Sequence, residues 1–401
     1  MWARVRLDIG WMDLASGIRN CLVTPDRAVL ERELEALWSD HGDALVSFSV
    51  RSGFDLLLEA LDFPEETEIL FTALNIKGML KIARRHGLLP IPVDLDPETM
   101  APDLASLEHA ISPATRAIVV APLFGARGDR GPLIEIAKRH GLIVIEDAAQ
   151  AFAGLGYSGH PDADVSLFSF GPLKHATALG GALLRVREPE LLERMRTIQD
   201  GYPIQETRDY AVRLLKYAGL RLMTTRVVLA TVVRLFRLRG QDYEDAVAEP
   251  VRGVAKLGSA KKIRRRCSAP LLAMLVRRLT RWQLDPARRR AAEVLRDELE
   301  GWVELPSIGE RIHSFWAFPI LVDDPQRVMS ALREQGFDAA TLRRSAAVEA
   351  PLDRPMLDPT RAKESLSRLV VIPCYPTMPK RELRREAEVI RGVVRGLGSN
   401  A

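Results

Sequence analysis

Short apolar runs alternate with longer amphipathic segments through the first half of the chain. The runs are four to six residues long, and the segments between them repeat apolar residues at intervals of three and four. An unbroken apolar run is typical of a strand buried on both faces of a sheet, and the longer repeat is typical of a helix. The predicted strands are 45–50, 68–71, 89–93, 117–121, 142–145 and 165–170, and the predicted helices between them include 52–61, 76–86 and 103–110.

This alternation predicts an α/β fold with a mostly parallel central sheet and helices on both faces. On such a sheet a ligand binds at the carboxyl ends of the strands. Two predicted helix ends repeat one pattern, in which basic residues precede His86-Gly87 and His140-Gly141. Glycine supplies the left-handed cap and basic residues suit the C-terminal dipole, so we predict that both histidines are helix-end residues and not ligands.

The last third of the chain predicts a smaller α+β domain. It contains predicted helices at 286–299, 325–335 and 380–394 and predicted strands at 315–322 and 369–372. We therefore predict three parts. Residues 1–200 form the main part of a large domain, 201–284 form a helical insertion and the return to that domain, and 285–401 form the small domain.

Composition adds limits to this picture. The 401 residues are 47% hydrophobic and 27% charged, which excludes a mainly disordered chain. The three cysteines, Cys21, Cys267 and Cys374, lie far apart and form neither a disulfide framework nor a zinc-binding pattern. We therefore predict no metal site and a reducing, cytoplasmic setting. Residues 1–20 contain no continuous apolar stretch, so a signal peptide is not expected.

Two candidate chemical groups follow predicted strands. Asp147 ends an apolar run, where a carboxylate either caps the next turn or faces a cationic heterocycle in the crevice. Lys174 lies between two apolar runs, where an ammonium group is costly to bury. A desolvated lysine has a lowered pKa and can form a Schiff base, whereas a lysine in a surface loop has neither property. The pattern alone leaves both alternatives open at each position.

The motifs that contain these residues occur in a defined order. Glu-Asp-Ala-Ala-Gln ends at Gln150, Ser-Phe-x-Pro-x-Lys runs from Ser169 to Lys174, and Leu-Gly-Gly follows at 179–181. This order resembles the fold type I pyridoxal-phosphate enzymes, and more narrowly the DegT/StrS group of sugar aminotransferases. Further matches lie at 90–96, 111–118, 123–125, 313–316 and 372–376, so the resemblance extends from about residue 49 to residue 394.

The resemblance implies a three-layer fold type I transferase and a role for each candidate residue. Lys174 would bind pyridoxal 5'-phosphate covalently as a Schiff base and then act as the proton shuttle. Asp147 would pair with the protonated pyridine nitrogen, which keeps the ring an electron sink. Gln150 would lie near the ring hydroxyl, and Ser169 would contact the phosphate.

The phosphate-binding part of the pattern departs from the family. A helix beginning around Arg51 and Ser52 would receive the phosphate at its N-terminus, and Arg51 would supply a charged contact. The family usually has Ser-Gly-Thr at 49–51, where this chain has Ser-Val-Arg. Ile76 stands where the family usually has an aromatic residue stacked on the ring, and His175 replaces the usual asparagine. The resemblance therefore implies an altered cofactor pocket that retains both chemical positions.

A basic and apolar stretch interrupts the resemblance between residues 205 and 267. Residues 208–266 contain fifteen basic and five acidic side chains, a local net charge of +10 in a chain whose total is +4. We predict that 210–266 either attaches to an anionic membrane surface as an interfacial helix pair or packs as a helical hairpin on a dimer partner. Its longest charge-free run, 227–233, is too short to span a bilayer. No nucleic-acid-reading motif accompanies the charge, so nucleic acid is not a predicted partner.

With the resemblance, these residues predict an aminotransferase. It would move an amino group, from glutamate by the family's pattern, to a keto sugar nucleotide in polysaccharide or glycoconjugate biosynthesis. The resemblance also implies a homodimer in the cytoplasm. If 210–266 attaches to a membrane, we expect the protein to lie peripherally at the inner membrane face. The alternative is a catalytically drifted relative that serves as a membrane-associated interaction or binding module. Retention of Lys174 and Asp147 favours the enzyme.

Overall fold

A computed structural model describes residues 1–3, 6–223, 225, 260–342 and 345–398 of the chain. Most of the basic stretch, 226–259, lies outside the described residues, so the predictions for 210–266 can be followed only at its two ends. Within the described ranges, no helix combines the length and apolar character that crossing a membrane requires.

Seven of the eleven strands in the described chain form one central sheet. The strands are β1 (Ala44–Ser47), β2 (Glu68–Thr72), β3 (Leu74–Ile76), β4 (Leu89–Val93), β5 (Thr115–Val120), β6 (Ile143–Asp147), β7 (Val165–Ser169), β8 (Ala182–Val186), β9 (Phe318–Leu321), β10 (Ser345–Ala347) and β11 (Leu369–Ile372). Their order in the sheet is β1-β8-β7-β6-β5-β2-β4, while β3 pairs with β10 and β9 pairs with β11.

The sheet is mostly parallel, as the alternation of strands and helices predicts. The neighbouring strands β7-β6-β5-β2-β4 are all parallel. β8 is the exception, since it runs antiparallel to both β7 and β1. The connection from β7 to β8, residues 170–181, contains no helix and therefore returns the chain directly instead of crossing over. An apolar run indicates burial but not direction, so this reversal was not predictable from the pattern.

Helices cover both faces of the sheet, which gives three layers. The helices of the large domain are α1 (Trp11–Leu22), α2 (Arg27–Trp38), α3 (Val50–Leu61), α4 (Lys77–Arg85), α5 (Leu104–Ala110), α6 (Gly131–Arg139), α7 (Pro189–Asp200), α8 (Thr207–Met223), α9 (Ala260–Ile263) and α10 (Ala269–Arg281). Helices α3, α4 and α7 share a core with one face, and α5 and α6 share a core with the other. Helices α1, α2, α8 and α10 pack together where β8 and β1 extend the sheet.

The C-terminal part forms its own core around the antiparallel pair β9–β11. Its helices are α11 (Pro286–Leu299), α12 (Pro325–Glu334), α13 (Thr360–Arg368) and α14 (Lys380–Gly398). The small α+β part expected from the sequence is therefore present, with a core of its own buried side chains to which Trp2 also contributes. The proposed boundaries at residues 200 and 284 stay a prediction.

Two predicted strand boundaries are wrong for local reasons. The strand predicted at 45–50 ends at Ser47, because the Ser49 side chain accepts a hydrogen bond from Ser52 N at 3.1 Å and caps α3. The strand predicted at 315–322 begins only at Phe318, because the residues before it bond to a loop of the large domain. The two predicted helix-end histidines do lie directly after α4 and α6.

The beginning of the chain connects the two domains. Trp2 O accepts a hydrogen bond from Asp338 N in the small domain, and Trp2 Nε1 donates to Glu382 at 2.8 Å. A few residues later, Asp8 Oδ2 accepts a hydrogen bond from Ala176 N in the large domain at 2.7 Å. We call this connection, with its attachment points at Trp2 and Asp8, the N-terminal strap.

Candidate active site

The carboxyl ends of β1, β6 and β7 meet at one edge of the sheet. Ser47 of β1 and Ser169 of β7 both pair with Ala182, so these two strand ends lie level on either side of β8. Asp147 is the last residue of β6 and pairs with Leu167, one strand further along. The candidate residues therefore meet where a ligand binds a parallel sheet, at the carboxyl ends of its strands.

A tight loop between β7 and β8 carries Lys174. Lys174 N donates to Gly171 O at 3.0 Å and closes a turn. Thr177 Oγ1 donates to the same Gly171 oxygen at 2.6 Å, and the strap residue Asp8 accepts a hydrogen bond from Ala176 N. These hydrogen bonds fix the backbone on both sides of the lysine, so its amine extends from a well-supported loop.

Burial shifts the pKa values of Lys174 and Asp147 in opposite directions. Removal from water lowers the pKa of Lys174 from 10.5 to about 8, although the charge of Asp147 opposes this shift. Burial raises the pKa of Asp147, against the charge of Lys174 and a hydrogen bond from Ala149 N at 3.2 Å. Asp147 therefore caps the next turn and also interacts with the charge of Lys174, and its predicted place facing a cationic heterocycle stays a prediction. An amine with a pKa near 8 serves as nucleophile and base close to neutral pH.

The Gln150 side chain is fixed by the loop that follows β5. Its Oε1 atom accepts a hydrogen bond from Phe124 N at 2.8 Å. Phe124 has a φ of +59°, an uncommon backbone conformation for a residue with a side chain. Because the amide oxygen is used in this way, the amide nitrogen is the atom of Gln150 suited to donate to a ligand.

The N-terminus of α3 brings together the predicted phosphate-binding residues. Ser49 caps the helix, and its hydroxyl oxygen lies 2.9 Å from that of Ser52. Ser52 is buried and Arg51 is half-buried in the first turn. The positive end of the helix dipole and the charge of Arg51 both favour an anion here, as a phosphate group requires.

The two remaining departures from the family occupy different surroundings. Ile76 ends β3, pairs with β10 and is 37% exposed, and its place beside a cofactor ring stays a prediction. His175 is buried, where its Nδ1 donates to Phe152 O at 3.1 Å and its ring stacks on Trp282 with centroids 5.4 Å apart. Burial lowers the pKa of His175 to about 4, so the ring is neutral at pH 7 and acts as a packing group.

Glu146 has a structural role that the sequence did not reveal. Its buried carboxylate accepts hydrogen bonds from Arg130 Nη1 at 2.7 Å, Tyr157 OH at 2.6 Å and Ser166 Oγ at 3.0 Å. These contacts tie the segment after β6 back onto the sheet, directly beside Asp147. An acid inside an apolar run signals that a buried partner exists, but it does not identify that partner.

Trp316 reaches the site from the small-domain side. Its ring centroid lies 4.3 Å from Lys174 Nζ, and its Nε1 atom donates to Leu173 O at 2.8 Å. The tryptophan belongs to a motif noted above, but no spacing rule connects residues so far apart in sequence. Only the folded chain shows this contact.

The groups at this edge of the sheet fit pyridoxal 5'-phosphate. They are an amine of lowered pKa, a buried carboxylate, an amide, and a helix N-terminus with serine hydroxyls. The aldehyde, ring nitrogen, ring hydroxyl and phosphate of the cofactor are the matching groups. The fold and the site therefore define a transferase of the pyridoxal-phosphate-dependent type.

Comparison with known proteins narrows this class to a family. A family model of the DegT/DnrJ/EryC1/StrS aminotransferases matches residues 21–391, so the chain belongs to that family. The family and the type of enzyme that the motifs predict are thereby confirmed.

Two individual relatives are similar to this chain over different shares of their length. A GDP-perosamine synthase of Caulobacter vibrioides is 26% identical over 338 residues, which cover 80% of this chain and 87% of the relative. A pleiotropic regulatory protein of Geobacillus stearothermophilus is 34% identical over 175 residues, which cover 42% of this chain and 47% of the relative. This second match therefore spans about half the relative's length.

A solved structure confirms the predicted fold. The aminotransferase TlmJ from Streptoalloteichus hindustanus has a TM-score of 0.73 at 17% sequence identity, covering 99% of this chain and 100% of that chain. At this level of identity, the similarity concerns the fold alone.

Proposed function

We propose that the protein uses pyridoxal 5'-phosphate to move an amino group from glutamate to a keto sugar attached to a nucleotide. The observation that carries this proposal is that Lys174, whose pKa is lowered to about 8, and the buried Asp147 lie close enough for each charge to shift the pKa of the other. Transamination needs an amine that also acts as a base, and an anion beside the ring nitrogen. The proposed setting is the biosynthesis of a polysaccharide or glycoconjugate.

Each side chain of the site has a distinct task in this proposal. When bound, the cofactor supplies an aldehyde that accepts amino groups and a ring that delocalises electrons. Lys174 holds the cofactor through Nζ, and the freed amine accepts and returns a proton, which a pKa near 8 permits. Asp147 directs its charge toward the ring nitrogen, and Gln150 orients the ring. Ser52 and Ser169 bind the phosphate together with the N-terminus of α3.

The substrate part of the proposal draws on the relatives. The Caulobacter relative is named a synthase of GDP-perosamine, in which a sugar is attached to a nucleotide. We extend this substrate class to the present chain because the family match covers nearly its whole length. The retained Lys174 and Asp147 support an enzyme over a non-catalytic relative that would need neither group.

An amino-transfer assay tests this function. The protein, loaded with pyridoxal phosphate, is incubated with glutamate and with keto sugars attached to GDP, UDP or dTDP. We expect glutamate alone to shift the cofactor absorbance, and one sugar class to yield an amino sugar and 2-oxoglutarate by mass spectrometry. A folded, cofactor-loaded protein that reacts with no amino donor would contradict the proposal and favour a binding module.

The packed helices α1 and α8 carry exposed apolar side chains, which are relevant to the predicted membrane attachment. Trp11, Met12 and Leu22 on α1 are 51%, 76% and 81% exposed, and Leu215 and Leu222 on α8 are 63% and 57% exposed. We call this surface the α1–α8 face. The basic residues of the two helices are Arg19, Arg208, Arg213, Lys216 and Arg221.

An exposed apolar face with nearby cations suits an anionic lipid surface. Apolar side chains enter the boundary between headgroups and acyl chains, and each well-placed cation adds about 1 kcal/mol of attraction at low salt. We therefore propose that the membrane attachment predicted for 210–266 extends over the α1–α8 face. A homodimer is proposed alongside it, in which the same face does not contact the partner.

Vesicle flotation tests this attachment. A variant carrying Met12→Asp, Leu215→Asp and Leu222→Asp is expected to bind anionic vesicles about tenfold more weakly, because three apolar contacts are lost and three negative charges are added. Leu352→Asp is the matched control, since Leu352 is fully exposed outside the face and its replacement should leave binding unchanged. Added salt should weaken the binding of the unaltered protein.

Sedimentation of the same proteins separates the membrane from the dimer alternative. Under the membrane proposal, the unaltered protein and the triple variant both sediment as dimers, and the triple variant floats with anionic vesicles more weakly than the unaltered protein. If neither protein floats and the triple variant sediments as a monomer, the α1–α8 face is a dimer contact and the membrane proposal is wrong.

A further inference from the structure

A short segment of the chain docks the small domain onto the active site. Residues 312–317 run along the loop 124–127, and three backbone hydrogen bonds of 2.8, 2.9 and 3.2 Å join the two stretches. The same loop supplies the backbone N–H that fixes Gln150. The segment is therefore held to a part of the chain that already belongs to the site.

Gly125 allows this close approach. Its φ is +102°, a conformation that favours glycine, and a Cβ atom there would lie only 2.8 Å from Trp316 N and closer still to Ser314 Oγ. Any side chain at Gly125 would push the segment away from the loop. The absence of a side chain at Gly125 therefore lets the segment come close enough to the loop for Trp316 to approach Lys174.

Trp316 then makes two contacts with consecutive residues of the Lys174 loop. Its indole N–H donates to Leu173 O at 2.8 Å, and its ring centroid lies 4.3 Å from Lys174 Nζ. The first contact anchors the ring to the backbone that carries the lysine. The second contact is within the range of a cation–π interaction, which is stronger where the cation is removed from water.

A lysine side chain has four rotatable bonds, and ordering it costs conformational entropy. The loop hydrogen bonds fix the backbone of Lys174 but not these rotatable bonds. We propose that Trp316 is a positioning residue that holds the Lys174 amine toward the cofactor site. Trp316 acts through Lys174, and the ring face and the indole N–H contribute separately.

The first test needs no cofactor. Lys174 in the cofactor-free protein is methylated with formaldehyde and cyanoborohydride at pH 7, where an amine with a pKa near 8 is mostly protonated, and the rate of methylation at Lys174 is followed by peptide mass spectrometry. We expect Trp316→Leu to speed this reaction about threefold or more, because the ring no longer covers and restrains the amine. The rate at the exposed Lys138 should not change, which controls for the reagent, and an unchanged thermal midpoint of unfolding shows that the variant remains folded. An unchanged rate at Lys174 would overturn the inference.

The second test rests on the proposed function and measures the rate at which added pyridoxal phosphate becomes covalently attached. We expect a loss of about tenfold in Trp316→Leu and a smaller loss in Trp316→Phe, which keeps a ring face but no N–H donor. In a Lys174→Ala background, Trp316→Leu should leave the reversible affinity for pyridoxal phosphate unchanged. A similar loss of affinity in that background would show that Trp316 contacts the cofactor or supports the fold instead.

The two tests can fail independently. If the unaltered protein takes up no pyridoxal phosphate, the proposed function fails, while the methylation rates still decide whether Trp316 restrains Lys174. If uptake is normal and neither rate responds to Trp316→Leu, the positioning role fails and the proposed function stands.

Discussion

Replacement of Lys174 by alanine is expected to abolish both covalent attachment of pyridoxal phosphate and amino transfer. The variant loses the amine whose pKa is lowered to about 8, and the structure places no other lysine beside Asp147 among the described residues. Borohydride treatment followed by peptide mass spectrometry should give a cofactor adduct on the peptide that contains Lys174 in the unaltered protein only. Turnover of the variant should fall below detection.

Lys138→Ala is a suitable control for this experiment. Lys138 lies on the surface, where its amine pairs with Asp162 at 3.1 Å, and its loss should change neither the adduct nor the rate. An unaltered protein that stays colourless in excess pyridoxal phosphate would contradict the enzyme proposal. An adduct on a different lysine would contradict the assignment of Lys174 alone.

Replacement of Asp147 by asparagine is expected to lower turnover by about 10²-fold or more while part of the cofactor binding remains. The amide nearly preserves the shape of the carboxylate but removes the negative charge that stabilises a protonated ring nitrogen. Loss of one preorganised electrostatic contact has an effect of about this size. Stopped-flow measurement of the glutamate half-reaction, beside equilibrium binding of pyridoxal phosphate, separates the two effects.

The neighbouring acid provides the comparison for Asp147. Glu146→Gln also removes a negative charge, one residue before Asp147. The Glu146 carboxylate, however, accepts hydrogen bonds from Arg130, Tyr157 and Ser166 and stabilises the fold. We expect this variant to lower the thermal midpoint of unfolding more than Asp147→Asn does. Normal turnover of Asp147→Asn would show that the carboxylate does not act on the ring.

The buried strands and the positions of Lys174 and Asp147 could be predicted because each has a signal in the local sequence pattern. An apolar run bounded by helical periodicity identifies strands such as β5, and a lysine or an acid at the end of such a run is conspicuous. The predicted end of β1 is wrong, although Ser49 is a typical helix-capping residue, because the apolar Val50 lengthens the apolar run in the sequence.

The remaining features depend on contacts between distant parts of the chain. The direction of β8 is set by the length and course of the loop before it, not by its own residues. Trp316 meets Lys174 only because the small domain docks along the loop at Gly125. Asp8 supports the Lys174 loop from the other end of the sequence. The pattern of apolar residues within one segment gives no information about such contacts between distant segments.

The contacts of the N-terminal strap can form only in a certain order while the chain is being synthesised. Trp282, whose Nε1 donates to Asp8 Oδ2 at 2.5 Å, lies 274 positions after Asp8 and is therefore synthesised much later. The hydrogen bond from Trp2 forms later still, because its partner Glu382 lies 380 positions further along the chain. A hydrogen bond cannot form before both partners exist, so the strap's contacts with Trp282 and Glu382 form only after those residues have been synthesised. A chain that ends before Trp316 can therefore form the hydrogen bonds around the Lys174 backbone, but it lacks the ring that lies against the Lys174 amine.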